Sequence, residues 1–120
     1  MRLTELAAKL ELRNLTPELD VTTREVRAGY VSDLLSDVLA HAPKSGVLVT
    51  VQVHLNVIAV AVHAELAAVI FALGREPDGA VRARAIEEGI ALFVASESAW
   101  EVVGKLHTSG LRGESNKVTK

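Results

Sequence analysis

The sequence predicts an α/β domain of three layers, with a mainly parallel sheet of about four to five strands and helices on both faces. Two observations lead to this prediction. Residues 47–53 and 68–73 are apolar at nearly every position, as strands are when both faces of a parallel sheet are covered. Residues 55–66, rich in alanine and valine, are long enough for a helix that joins two parallel strands in a right-handed crossover.

The composition indicates what fills the core. Hydrophobic residues make up 49% of the 120 residues, whereas aromatic residues make up 3%, so aliphatic side chains must fill the interior. A chain of this length is typical of one domain. We predict a single domain over residues 1–107 and a disordered polar tail over residues 108–120, where no hydrophobic periodicity remains.

Charge and cysteine content argue against several function classes. The formal net charge is −2 and the charges are dispersed, which argues against nucleic acid or an anionic membrane as a partner. Cysteine is absent, so the chain has no disulfide, thiolate nucleophile or cysteine metal ligand. This composition favours a reducing, cytoplasmic location.

The longest apolar stretch, residues 57–73, has about the minimum length of a membrane-spanning helix. His63 and Glu65 lie near its middle, and a carboxylate there costs about 2.5–3.5 kcal/mol on insertion. We therefore predict a soluble domain without a membrane partner.

Before the central strands, the pattern predicts helix 4–10, extended segment 10–15, strand 25–30 and helix 32–42. Thr16-Pro17 is predicted to break the extended segment, because proline has no backbone N–H to donate to a neighbouring strand. Ser32 or Asp33 can cap the second helix, and Pro43 ends it.

After the central strands, the pattern predicts a helix up to residue 88, a strand over residues 90–95 and a helix up to residue 106. Asp78 and Ser96 are the predicted N-caps of the two helices, because their side chains can accept a hydrogen bond from a free backbone N–H. Gly89 is a fitting C-terminal stop, since glycine adopts the left-handed conformation readily.

Ligands of open α/β sheets bind beyond the carboxyl ends of the strands, where loops lead into helix N-termini. His54 and Asn56 follow the first central strand, and Gly74 and Arg75 follow the second. These four residues are the predicted ligand site, in which Arg75 would bind an anion. Each also has a structural interpretation: a solvated loop histidine, an N-cap, a glycine with an unusual backbone angle, and a surface cation.

Residues for catalysis or metal binding are harder to find. Asp33 and Asp37 are spaced to share a helix face, where a carboxylate pair could do acid/base chemistry or hold a cation, although capping and solvation explain both. The sequence contains no P-loop, dinucleotide fingerprint, nucleophile elbow or zinc-binding His-Glu-x-x-His. We therefore predict no catalytic residue, no metal site and no cofactor.

Two stretches carry a family resemblance: GYVSDLLSD at residues 29–37, and an apolar strand followed by Gly-x-x-Pro-Asp, a helix and Glu-Gly-Ile at residues 68–90. Over roughly residues 11–106 the chain resembles the DRTGG domain family. Members of that family occur alone, beside CBS domains and as the middle domain of some phosphate acetyltransferases, and are related to the N-terminal domain of HPr kinase/phosphorylase. The segments that correspond to the naming motif are His54-Leu55-Asn56 and Ala72-Leu73-Gly74, of which Gly74 matches.

The resemblance implies a non-catalytic regulatory or interaction module, which binds a small anionic ligand, such as a nucleotide, or a partner protein. Two other functions stay open. One is a small enzyme that uses His54 and Arg75 at the strand ends, and the other is a purely structural subunit of a larger complex.

The central helix also predicts a homodimer. Residues 57–62 are apolar without interruption for nearly two turns, whereas a helix that covers one face of a sheet needs an apolar stripe on one side only. Other helices of the same chain could cover the remainder. A patch left exposed would be typical of an interface, and two-fold pairing is the commonest way to bury it.

Overall fold

The computed structural model describes residues 1–114, and residues 115–120 of the predicted tail lie outside it. In chain order the elements are α1 (Leu3–Lys9), β1 (Arg13–Asn14), β2 (Gly29–Val31), α2 (Leu35–His41), β3 (Val47–Thr50), α3 (Asn56–His63), β4 (Ala68–Phe71), α4 (Gly79–Glu88), β5 (Ala91–Val94) and α5 (Ala99–Thr108).

The sheet has five strands in the order β1-β5-β4-β3-β2. The four strands from β2 to β5 are parallel, and β1 pairs with β5 in the antiparallel direction. Every residue of β3, β4 and β5 is buried, which explains why these strands are apolar on both faces. The predicted three-layer fold with a mainly parallel sheet is confirmed.

Two clusters of aliphatic side chains fill the space on the two faces of the sheet. One joins α1 and α5 to the sheet through residues such as Leu3, Leu6 and Leu106. The other joins α2, α3 and α4 through residues such as Val38 and Ile58. All three crossover helices of the parallel strands therefore lie on one face, and the first and last helices lie on the other.

Helix α3 occupies the centre of its layer, with α2 and α4 packed against it. Val57, Ile58 and Ala61 are buried, while Ala59 and Val62 remain exposed. Neighbouring helices thus bury part of the apolar surface of α3, and a strip of that surface remains exposed.

Three predicted N-caps are wrong. Helix α2 begins after Leu34 and α3 begins after Leu55, neither of which makes a side-chain cap. The cap of α5 is Ser98 rather than Ser96, since the Ser98 hydroxyl accepts the Glu101 N–H at 3.3 Å. By contrast, Asp78 caps α4 and Gly89 ends it with a φ of 77°, as predicted.

The segment predicted to begin the tail is packed against the domain. Thr108 ends α5, Leu111 is only 6% exposed, and the backbone N–H of Gly29 donates to the Arg112 carbonyl at 3.0 Å. Glu114 forms an ion pair with Arg27. Residues 108–114 are mostly polar, so the sequence pattern did not reveal their one buried leucine or their short pairing with the edge of β2. The predicted tail boundary at residue 108 is therefore corrected.

Within residues 1–114, no helix has the length and hydropathy that a membrane span requires.

Candidate functional site

The four predicted site residues lie at the carboxyl edge of the sheet. Strands β3 and β4 are hydrogen-bonded neighbours with Thr50 opposite Phe71, so the loops that follow them leave the same edge. His54, Asn56, Gly74 and Arg75 all lie in or directly after these loops, and all four are exposed. Their placement agrees with the prediction, and their role in binding stays a prediction.

The loop between β3 and α3 uses His54 as a local acceptor. The backbone N–H of Asn56 donates to Nδ1 of His54 at 3.0 Å. Asn56 is the first residue of α3 and makes no side-chain cap. In place of the predicted Asn56 cap, the His54 imidazole accepts a backbone N–H at the start of the helix. Because Nδ1 is engaged, only Nε2 of His54 remains for a ligand.

The loop after β4 begins with a tight turn in the left-handed region. Leu73 and Gly74 have φ values of 60° and 63°, and the Arg75 N–H donates to the Ala72 carbonyl at 3.1 Å. Two successive positive φ values closed by such a bond are the pattern of a type I′ turn. A leucine in this conformation costs about 1–2 kcal/mol, and the Leu73 side chain is 58% exposed.

These two positions correspond to the glycines of the motif that names the DRTGG family. The turn explains why glycine suits both positions, because an L side chain rarely adopts a positive φ. Backbone contacts hold the turn against the neighbouring loop: the N–H groups of Leu73 and Gly74 donate to the carbonyls of Glu97 and Ala95 at 2.7 and 2.8 Å.

Within residues 1–114, one cation at this edge forms no ion pair. Glu76 pairs with Arg13, and Glu97 pairs with Lys105, whereas Arg75 has no ion pair within residues 1–114. The α4 N-terminus is already occupied, since the Asp78 carboxylate accepts the Ala80 and Val81 N–H groups. An anion at this edge would therefore depend on Arg75 rather than on the α4 terminus.

A polar junction at the ends of β2 and β3 was not predicted. Thr50 is 0% exposed, and its hydroxyl donates to Oδ1 of Asp33 at 2.8 Å. The same carboxylate oxygen accepts the Val51 N–H at 2.8 Å. Asp33 lies before α2 and turns toward β3. It does not share a helix face with Asp37, so the expectation of a shared face is wrong.

Asp37 instead belongs to a chain of three polar side chains. The Tyr30 hydroxyl donates to the Asp37 carboxylate at 2.9 Å, and Nδ1 of His41 lies 3.0 Å from the same carboxylate. The nearby Ser32 side chain and the hydrogen bond from Tyr30, followed by His41, lower the pKa of Asp37. Burial and the neighbouring Asp37 raise the pKa of Tyr30.

A cleft of about 580 Å³ lies elsewhere, where β2 and α5 meet the segment after α5. It is lined by Gly29, Tyr30, Val31, Val49, Val103, Leu106, His107, Leu111, Arg112, Gly113 and Glu114. None of the four predicted site residues lines it. Sequence reasoning missed it because part of its wall comes from the segment interpreted as a tail.

A second cleft, of about 460 Å³, lies between α1 and α5 beside the exposed Trp100. Among residues 1–114, no group of three or more histidine, aspartate or glutamate side chains is arranged to hold a metal ion.

Comparison with known proteins gives a structural match without a sequence match. No protein-family profile matches the sequence, and no curated protein matches it. The chain is similar, with a TM-score of 0.68 and 9% sequence identity, to a solved structure from Clostridium perfringens pyrophosphatase. That structure contains the CBS and DRTGG domains of the regulatory region, complexed with the activator diadenosine tetraphosphate. The similarity covers 98% of this chain and 52% of that structure.

The chain thus spans about half of the length of the regulatory region that it matches. The likeness shows a DRTGG-like fold, in agreement with the resemblance found in the sequence.

Proposed function

We propose that this chain is a non-catalytic regulatory or interaction module, which binds a small anionic ligand, a nucleotide among the candidates, or a partner protein. The observation that carries the proposal is the fold, shared over 98% of the chain with a regulatory region that binds a nucleotide activator. A fold alone does not determine function, so the support must also come from the chain's own residues.

The carboxyl edge of the sheet supports the ligand part of the proposal. Arg75 presents an exposed guanidinium with no ion pair within residues 1–114, and a guanidinium binds phosphate or carboxylate oxygens with paired hydrogen bonds. Gly74 leaves the turn beside it free of a side chain. His54 can add a donor through Nε2, because its Nδ1 accepts the Asn56 N–H, and Asn56 can add an amide. These four residues are the proposed binding site.

The non-catalytic part rests on the absence of the motifs that nucleotide chemistry requires. The sequence has no P-loop to hold phosphates and no nucleophile elbow. The alternative, a small enzyme that uses His54 and Arg75, would need His54 to act through Nε2 alone, because Nδ1 already accepts the Asn56 N–H. If no ligand binds, the alternative that the chain is a structural subunit of a larger complex is favoured.

We also propose that the module is a homodimer in the cytoplasm. The support for the dimer is the exposed apolar strip of the helical layer that contains α3, where Val62 is 40% exposed and Leu39 of the adjacent helix α2 is 49% exposed. The support for the location is the absence of cysteine.

Thermal unfolding with a panel of ligands tests the proposal. The panel contains diadenosine tetraphosphate, mononucleotides and phosphorylated metabolites, with sodium sulfate at matched ionic strength as the control. A ligand present at 100 times its Kd stabilises the native state by about 2.7 kcal/mol, which raises Tm on the order of 10 °C for a domain of this size. If no anion in the panel raises Tm above the sulfate control, the ligand-binding proposal is wrong and the structural subunit is favoured.

A further inference from the structure

We propose that the cleft between β2, α5 and residues 108–114 is a second binding site, and that it takes a small amphipathic monocarboxylate, a molecule with an aliphatic body and one anionic head. This site is separate from the proposed site at His54 and Arg75, and it does not depend on that site.

The walls of the cleft are aliphatic. Five branched side chains line it, contributed by strand, helix and the segment after α5: Val31, Val49, Val103, Leu106 and Leu111. The volume of about 580 Å³ lies within the range of small-molecule sites, which are mostly apolar with a few polar groups. An aliphatic ligand would replace water beside Val31, whose side chain is half exposed, and gain the corresponding hydrophobic free energy.

No phenylalanine or tryptophan is among the lining residues of the cleft to stack a nucleobase. Tyr30 lines it, but its side chain packs with the cluster on the opposite face, where its hydroxyl binds Asp37. Bound bases are commonly stacked on aromatic rings. The wall therefore favours an aliphatic body over a base.

Specific contacts hold the wall in place. The Gly29 N–H donates to the Arg112 carbonyl at 3.0 Å. A Cβ at Gly29 would lie 3.4 Å from Cδ2 of Leu111, at van der Waals distance, so the Leu111 side chain lies directly against the edge strand. The Arg27–Glu114 ion pair lies at the end of the same segment. The cleft is thus formed in the folded chain before any ligand binds.

The charges around the cleft select one negative group. Among the lining residues, Glu114 is already paired with Arg27. Nη1 of Arg112 donates to the His107 carbonyl at 2.8 Å, which orients the guanidinium, and no carboxylate within residues 1–114 pairs with Arg112. One uncompensated guanidinium matches one carboxylate, whereas a nucleotide would bring several phosphate charges.

Two-dimensional amide NMR of the full chain, titrated with decanoate and separately with 1-decanol, tests the proposal. Decanoate is expected to bind saturably and to shift the amide signals of Gly29, Val103 and Leu111. Arg112→Gln is expected to weaken decanoate binding by about tenfold or more, the scale of a lost charged hydrogen bond, and to leave decanol binding unchanged. Arg84→Gln, a half-exposed arginine on α4 outside both proposed sites, is the matched control and should bind decanoate as the native chain does.

A cleft-filling variant, Val103→Phe, should weaken both ligands while the spectrum remains that of a folded protein, and Val31→Trp serves if Val103→Phe does not fold. The proposal is overturned if millimolar decanoate does not bind, if the shifted signals lie outside the cleft, or if Arg112→Gln and Arg84→Gln affect decanoate equally.

Discussion

The Thr50 hydroxyl, fully buried at the end of β3, donates a hydrogen bond of 2.8 Å to the carboxylate of Asp33, 17 residues earlier in the chain. The same carboxylate oxygen accepts the Val51 N–H. Asp33 therefore joins the loop after β2 to the end of β3, and it shapes the carboxyl edge from which the candidate site projects.

Replacing Asp33 by alanine should destabilise the domain. The buried Thr50 hydroxyl would lose its acceptor, which costs about 1–3 kcal/mol in the free energy of unfolding. Urea unfolding measures the loss, with Asp20→Ala as a control, because the Asp20 carboxylate bonds only to the nearby Thr22. The double variant Asp33→Ala/Thr50→Val should regain part of the stability, and a simple sum of the two single losses would show that the two residues are not coupled.

Arg75→Ala should weaken the binding of any anionic ligand found in the thermal screen. The expected loss is about 1.5–3 kcal/mol, since one charged hydrogen bond or a pair of them disappears. Titration calorimetry measures it, and Arg84→Ala on the outer face of α4, where Arg84 pairs with Glu87 and Glu88, is the control. A ligand that binds the Arg75→Ala chain unchanged would place the site elsewhere.

The purified chain is expected neither to hydrolyse ATP nor to transfer its phosphoryl group to a protein substrate such as HPr. The reason is that no P-loop holds the phosphates in the sequence. Release and transfer of radiolabelled phosphate provide the measurement. Activity above background that His54→Ala or Arg75→Ala abolishes would instead support the small enzyme.

The stability of the domain at acid pH should depend on Asp37. The nearby Ser32 side chain and the hydrogen bond from Tyr30, with His41, hold its pKa below the ordinary value. Its contribution to stability is therefore complete above the ordinary aspartate pKa of about 3.9, and it is lost as the pH falls through the lowered pKa. Asp37→Asn, which cannot titrate, should flatten the decline in unfolding free energy at acid pH.

Urea unfolding between about pH 3 and pH 7 tests this dependence. Glu87→Gln on the exposed side of α4 is the control and should decline with pH as the native chain does. Native and Asp37→Asn profiles that run parallel through the acid range would contradict the role assigned to this carboxylate.

Light scattering at micromolar concentration is expected to give about twice the mass of one chain. Val62→Glu places a charge on the exposed strip of α3 and should lower the mass while the protein stays folded, because burying an unpaired charge in an interface is costly. Ala8→Glu, on the exposed side of α1 in the opposite helical layer, is the control. A native chain that remains monomeric at high concentration would remove the dimer from the proposal.

Local patterns in the sequence determined most of the architecture. Uninterrupted apolar segments predicted β3, β4 and β5, since strands buried on both faces have no polar side to preserve. The Asp78 cap and the Gly89 stop were predictable because each acts on backbone groups within a few residues. The order of His54 and Arg75 after neighbouring strands followed from the crossover alone.

Tertiary structure decided the features whose partners are distant in the chain. Asp33 had the local signature of a cap, and only the proximity of Thr50 shows that it joins two strand ends. The antiparallel β1 is two residues long and lies within the predicted extended segment 10–15, but only its pairing with β5 shows that it joins the sheet. The cleft at β2 depends on Leu111 returning to the edge strand, a single buried leucine in a polar segment. Hydrophobic periodicity can be detected only over several residues, whereas a single buried side chain such as Leu111 can form part of a cleft wall.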